Sequence, residues 1–259
     1  MALPVRVLVS AQGYLAEQAQ QLSQPWLSAQ EMERWQSLGN DARKLQFLAC
    51  RYALRTVLVS AEQPFHMWHL SAQAGAAPRV IQNDAQGEAA GGLGAPPSLS
   101  LAHSQNYVVC ASAENVLGVD LEVQPSRRTR NVYDIAHLVC SSVEMRILRA
   151  KSDATLVNTI FLKYWVLKEA LFKYRGTGLD FQRIRDISCY EGNVANKHAS
   201  VLGYAWMWEA KDVEGRVLTW AICTQKAITL QDIDLVLDPS LTCTRVQSWV
   251  LVQTESHRL

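Results

Sequence analysis

Two segments repeat apolar residues at the three- and four-residue spacing of a helix with one buried face. In residues 41–59 the row is Leu45, Leu48 and Tyr52. In residues 156–174 it is Ile160, Tyr164, Leu167, Leu171 and Tyr174. Upstream of each lies a Ser-x-x-Glu step, Ser28-Ala-Gln-Glu31 and Ser141-Ser-Val-Glu144. There the serine accepts from the helix N-terminus while the glutamate reaches back to the serine amide. Strand patterns follow each helix, at 98–103 and 107–113 after the first and at 203–208 and 217–224 after the second. Phe47, Arg51 and Arg55 are expected to take the same relative places as Trp165, Glu169 and Lys173. The N-terminal Val-Arg-Val-Leu-Val reads as a first strand. Crowded Gly and Pro make 83–97 a loop, and a second polar loop is expected at 191–198.

The recurrence of capping box, long helix and strands predicts an α+β fold of two pseudo-symmetric halves, 1–116 and 117–259. A cleft between two such halves is a favoured place for a ligand. Composition narrows the possible partners. Lys plus Arg number 25 against 24 Asp plus Glu, a formal charge of +1, so the basic excess expected of a nucleic-acid or membrane-surface binder is missing. Any anionic ligand must be met by a few placed cations. The six cysteines are scattered without a CxxC or Cys/His zinc spacing, and several, such as Cys110, lie in apolar stretches that suit reduced, buried thiols. The N-terminus lacks a basic and apolar leader pattern, and no run approaches the roughly 18 apolar residues of a membrane helix. A cytoplasmic location is expected.

Candidate chemistry concentrates in two places. On a strand, Gly118-Val-Asp-Leu-Glu122 puts Asp120 and Glu122 on one face and Val119, Leu121 and Val123 on the other. Carboxylates about 7 Å apart repel by about 2 kcal/mol at an effective dielectric near 20. Magnesium, a hard ion that shares phosphate oxygens, would relieve that repulsion; a solvated acidic strand edge is the alternative. On the second helix, Trp165, Lys168, Glu169 and Phe172 form a mixed stripe, with Glu169 and Lys173 spaced to pair. Cations and a carboxylate beside a buried face suit phosphate handling, and structural pairing explains them equally well. His103 stands at a strand end. Arg34, Arg51 and Arg55 read by default as a solvated face or interhelical ion pairs.

Together and in order, these segments resemble the 4′-phosphopantetheinyl transferase superfamily, of the long, surfactin-synthetase-activating (Sfp-like) type. The motifs are Ala102-His-Ser104, Gly118-Val-Asp-Leu-Glu122, Trp165-Val-Leu-Lys-Glu-Ala-Leu-Phe-Lys173 and Gly176-Thr-Gly-Leu179, and Phe47-Leu-Ala-Cys-Arg-Tyr-Ala-Leu-Arg55 resembles the family's arginine-bearing helix. The resemblance implies a magnesium-dependent transfer of phosphopantetheine from coenzyme A to a serine of an apo acyl or peptidyl carrier protein, releasing 3′,5′-ADP. It implies that Asp120, Glu122 and Glu169 hold Mg2+ and that Glu169 is the general base. Lys168 and Lys173 would meet the pyrophosphate, His103 a coenzyme A phosphate, and Arg34 its 3′-phosphate. Gly75-Ala-Ala-Pro78 departs from the family's Gly-Lys-Pro, with Arg79 one place late, and Ala102 replaces a serine; both bear on coenzyme A affinity. A basic rim at Arg127, Arg128 and Arg130 would suit an acidic carrier, with a disordered solvated loop as the alternative, and a monomer is expected. The alternatives are a non-catalytic protein that binds coenzyme A or a carrier protein on the same fold, and another magnesium phosphotransferase or phosphatase.

Overall fold

The computed structural model describes residues 4–23, 25–59, 64–73, 75–81, 95–124, 132–192 and 200–254. In chain order the elements begin with β1 (Val5–Ala11), α1 (Gln12–Gln20), α2 (Ala29–Gln36), α3 (Asp41–Thr56), β2 (Ser98–Ser104), β3 (Tyr107–Ala113) and β4 (Leu117–Val123). They continue with α4 (Val132–Val139), α5 (Ser142–Arg149), α6 (Ala154–Arg175), β5 (Ile187–Glu191), β6 (Ser200–Lys211), β7 (Val217–Thr224), β8 (Ile233–Leu237) and β9 (Thr242–Gln253). The architecture is α+β. Most of 83–97, most of 191–198, and Arg127, Arg128 and Arg130 lie outside the described residues.

The chain forms two compact units, Met1–Leu117 with Thr229–Asp238, and Gly118–Ile228 with Pro239–Leu259. The first holds a four-stranded sheet in the order β2-β3-β1-β8. β3 runs antiparallel to both β1 and β2, and β8 runs parallel to β1. A division at 116/117 would leave 229–238 with the second half, whereas the structure makes that segment an edge strand of the first sheet. Asp238 fastens its end, with Oδ2 accepting from Ser10 Oγ at 2.6 Å and from the Ala11 amide at 3.0 Å. A parallel partner so distant in the chain has no hairpin turn to announce it.

Helix α3 packs on this sheet through Ala49, Cys50, Ala53, Leu54 and Val57. The buried face is therefore rotated from the expected Leu45, Leu48 and Tyr52 row. Leu45 is 40% exposed, and Tyr52 packs only at the margin of the cluster. In the second unit the sheet order is β4-β7-β6-β9-β5, and α6 lies against it. Tyr164, Leu167 and Leu171 are buried in one cluster with Met207, Trp249 and Leu251. No helix among the described residues is long and apolar enough to cross a membrane. Of the six cysteines, all free, only Cys243 is exposed.

Both predicted capping boxes form, and each glutamate does more than cap. Glu31 accepts from the Ser28 amide and, fully buried, from Arg55 at 3.0 and 2.6 Å. Glu144 accepts from the Ser141 amide at 2.8 Å and from Lys168 Nζ at 2.6 Å. One shift in numbering carries Ser28 onto Ser141, Glu31 onto Glu144, the α3 cap Asn40 onto the α6 cap Asp153, and Arg55 onto Lys168. The repeat expected from the sequence is thus present in these elements, but its register differs. Arg55 corresponds to Lys168 and not to Lys173.

A buried carboxylate stripped of its counter-charge costs about 3–5 kcal/mol. Arg51, 3.7 Å from the same carboxylate, offsets part of this, so Arg55→Met should lower unfolding free energy in urea by up to about 3 kcal/mol, and adding Glu31→Gln to the same protein should recover part of it.

Candidate active site

The strand β4 is buried on one side by Val119, Leu121 and Val123. Its other side presents Gly118, Asp120 and Glu122 to α6. Gly118 sets the separation. A Cβ built there would lie 2.1 Å from the Ala170 carbonyl oxygen and 2.2 Å from the Tyr174 amide nitrogen. Only a residue without a side chain permits this approach of strand backbone to helix backbone.

That approach joins the two sequence motifs. Lys173 Nζ donates to Asp120 Oδ1 at 2.7 Å, and the Trp165 indole donates to Glu122 Oε1 at 3.1 Å. Trp165, Glu169 and Lys173 follow one another at four-residue steps, so they form one row on α6. All three are half-buried, and the row runs along β4.

Asp120 is 6% exposed, and its Oδ2 has no hydrogen-bond partner among the described residues. Burial pushes its pKa up to about 7; Lys173 opposes the rise, while Glu169 and Glu122 add to it by repulsion. Burial likewise raises Glu169, with Lys173 pulling down and Glu122 pushing up. Three carboxylates therefore share one electrostatic environment with one ammonium. Among the described residues no three His, Cys, Asp or Glu side chains converge closely enough to hold a metal ion as they stand. Asp120, Glu122 and Glu169 are gathered along one face, with Lys173 and Trp165 as the present partners of two of them. The unpartnered Asp120 oxygen and the all-oxygen donor set fit a hard divalent cation.

The remaining sequence candidates are placed differently. Lys168 has no exposure and points away from this row. Its Nζ donates to Val139 O at 2.8 Å, Glu144 Oε2 at 2.6 Å and Ile184 O at 3.2 Å. An ammonium has three protons, and all are engaged in the interior. The expectation that Lys168 meets pyrophosphate is corrected on that ground. Phe172, expected in the same stripe, is buried in the core. His103 is exposed at the end of β2 in the first unit, with Nδ1 3.4 Å from Gln46 Nε2. Arg34, half-buried, occupies the last turn of α2 in that unit. Arg51 Nε lies 3.7 Å from Glu31, and Arg79 is exposed beside the Gly75 turn. Two structural contributions escaped sequence reasoning, Gly118 as the spacer and Glu144 as the seat of Lys168. The second had a signal, since each capping-box glutamate precedes its buried cation by 24 residues.

Residues 116–224 match the family model of the 4′-phosphopantetheinyl transferase superfamily. That segment contains β4, α6 and every residue of the carboxylate row. No curated protein matches the chain.

Gly118→Ala forces backbone against backbone, where no side-chain rotation can relieve the contact. The variant should lose about 1–3 kcal/mol of stability in urea denaturation, the usual cost of overpacking, and its crystal structure should show Lys173 separated from Asp120.

Proposed function

We propose that this chain transfers the 4′-phosphopantetheine group of coenzyme A to a serine of an apo acyl or peptidyl carrier protein, as an Sfp-like enzyme, with Mg2+ and release of 3′,5′-ADP. The observation that carries this reading is the row of Asp120, Glu122, Glu169 and Lys173, brought to one place by β4 and α6 inside the matched segment. Asp120, Glu122 and Glu169 would hold the cation. When bound, Mg2+ would offset the carboxylate charge and the negative charge of phosphate oxygens.

The rest of the chemistry belongs to the protein's own side chains. Lys173, 32% exposed, can turn from Asp120 to a phosphate oxygen where a divalent cation offsets the Asp120 carboxylate. Glu169, whose affinity for protons is raised by its half-buried position, serves as the base that takes the serine proton, directly or through a water. The serine oxygen forms a bond to the β-phosphorus, the bond from that phosphorus to the bridging oxygen breaks, and 3′,5′-ADP leaves with the electron pair. His103 and Arg34 are the proposed contacts to the phosphates of coenzyme A. No covalent enzyme intermediate is required.

Intact-mass analysis of an apo carrier protein incubated with this protein, coenzyme A and Mg2+ tests the reading. A mass gain of one phosphopantetheine is expected, abolished by EDTA and slowed about 100-fold or more by Glu169→Gln, the range for loss of a general base. Absence of any gain on both acyl and peptidyl carriers, with coenzyme A still bound, would replace the enzyme with a binding protein.

Cation binding gives a readout independent of turnover. Added Mg2+ should raise the melting temperature of the wild-type protein and leave that of Asp120→Asn unchanged, because the variant removes a ligand from the row.

A further inference from the structure

Lys168 ties α6 to three other segments at a single point. Its acceptors are the last carbonyl of α4, the Glu144 carboxylate on α5, and the Ile184 carbonyl in the turn before β5. The carboxylate is itself fixed. Glu144 Oε2 also accepts from the Ser141 amide, and Oε1 accepts from the Cys189 amide of β5 at 2.9 Å. Ser188 Oγ and Ser141 Oγ lie 2.7 Å apart beside it. Nothing in this set is exposed to solvent.

Each residue of an α-helix turns the side chain by about 100°. Relative to Lys168, the row of Trp165, Glu169 and Lys173 is therefore centred about 100° around the helix and spans about 80°. Lys168 faces the α5 anchor while the row faces β4, where Trp165 meets Glu122 and Lys173 meets Asp120. We infer that Lys168, held by Glu144, is a positioning residue that sets the rotation of α6 and so presents Glu169 and Lys173 to Asp120 and Glu122. This rests on the function proposed above.

The first unit contains the same anchor without the row. Arg55 and Glu31 are both fully buried, and α3 ends at Thr56, one residue later. The anchor thus belongs to the repeated framework. In the second unit α6 runs on to Arg175, and that extension carries Lys173. A helix rotation of about 20° moves a side-chain base by about 1 Å, and misplacements of that size can cost on the order of 100-fold in rate.

The test uses the full chain and two measurements. In the first, native protein is labelled with an amine-acetylating reagent, with and without coenzyme A, and read by peptide mass. Lys168 should remain unlabelled in both conditions, whereas Lys173 should be labelled and then protected by coenzyme A. Labelling of Lys168 that coenzyme A blocks would make it a phosphate ligand and overturn the inference. In the second, Lys168→Met is combined with Glu144→Gln, which removes both buried charges and keeps one side-chain oxygen as acceptor for either the Ser141 or the Cys189 amide. Transfer by this double variant should show kcat lowered about 10- to 100-fold with KM for coenzyme A within about two-fold. Its Mn2+ affinity, read by electron paramagnetic resonance, should weaken about ten-fold. Wild-type kcat and Mn2+ affinity in the double variant would overturn the positioning role. A wild-type chain that transfers nothing and in which coenzyme A protects no lysine would instead overturn the functional reading, whatever the reactivity of Lys168.

Discussion

A carboxylate and a cation sealed together in the interior govern how this chain packs. Removing an ion from water costs several kcal/mol even after relaxation, and the mutual attraction repays this only when every remaining lone pair and proton finds a partner. Glu144 and Lys168 meet that condition through the Ser141 and Cys189 amides on one side and two backbone carbonyls on the other. The pair therefore fixes more than itself. It converts a local capping box at the start of α5 into a long-range tie to the middle of α6, and the helix can rotate only by breaking bonds buried away from water.

Beside that anchor, the strand–helix contact at Gly118 concentrates charge where burial makes charge costly. Asp120 lies almost wholly out of solvent with one oxygen paired to Lys173 and the other without a partner among the described residues. Desolvation outweighs the nearby ammonium and pushes the carboxyl pKa up to about 7. Carboxyls perturbed by burial beside specific charges cluster at functional sites. In the proposed function, a divalent ion and a pyrophosphate bring the charges that this environment lacks.

The duplication separates framework from chemistry. The shift in numbering that superposes the two capping boxes sets Val7 and Val9 of β1 opposite Asp120 and Glu122 of β4, and both valines are fully buried. It sets Thr56, the last residue of α3, opposite Glu169. One copy of the framework keeps an apolar strand and a short helix. The other replaces two valines with carboxylates and lengthens the helix until Lys173 can reach them. In the proposed function, the buried framework and the chemical row therefore lie on different residues of the same motif. The buried cation–carboxylate pair is common to both copies, and the half-buried row belongs to one.

Much of this was legible in the chain, because the signals were local. Strand alternation placed Asp120 and Glu122 together on one face, opposite Val119 and Leu121. The Ser-x-x-Glu spacing marked two helix starts, and β3 and β7 took the bounds that their apolar runs predicted. Each of these depends on residues within a few positions of one another. Tertiary structure alone decided which of two adjacent residues on α6 faces inward. Lys168 and Glu169 are neighbours of comparable polarity, and their assignment to core and site depends on Glu144 and Asp120, which are distant in sequence. The same reason applies to Gly118, whose missing side chain matters only once Ala170 and Tyr174 lie against it, and to β8, whose parallel partner is at the other end of the chain. A sequence specifies periodicity through near neighbours, whereas burial of a charge is settled only by the groups that folding brings to meet it.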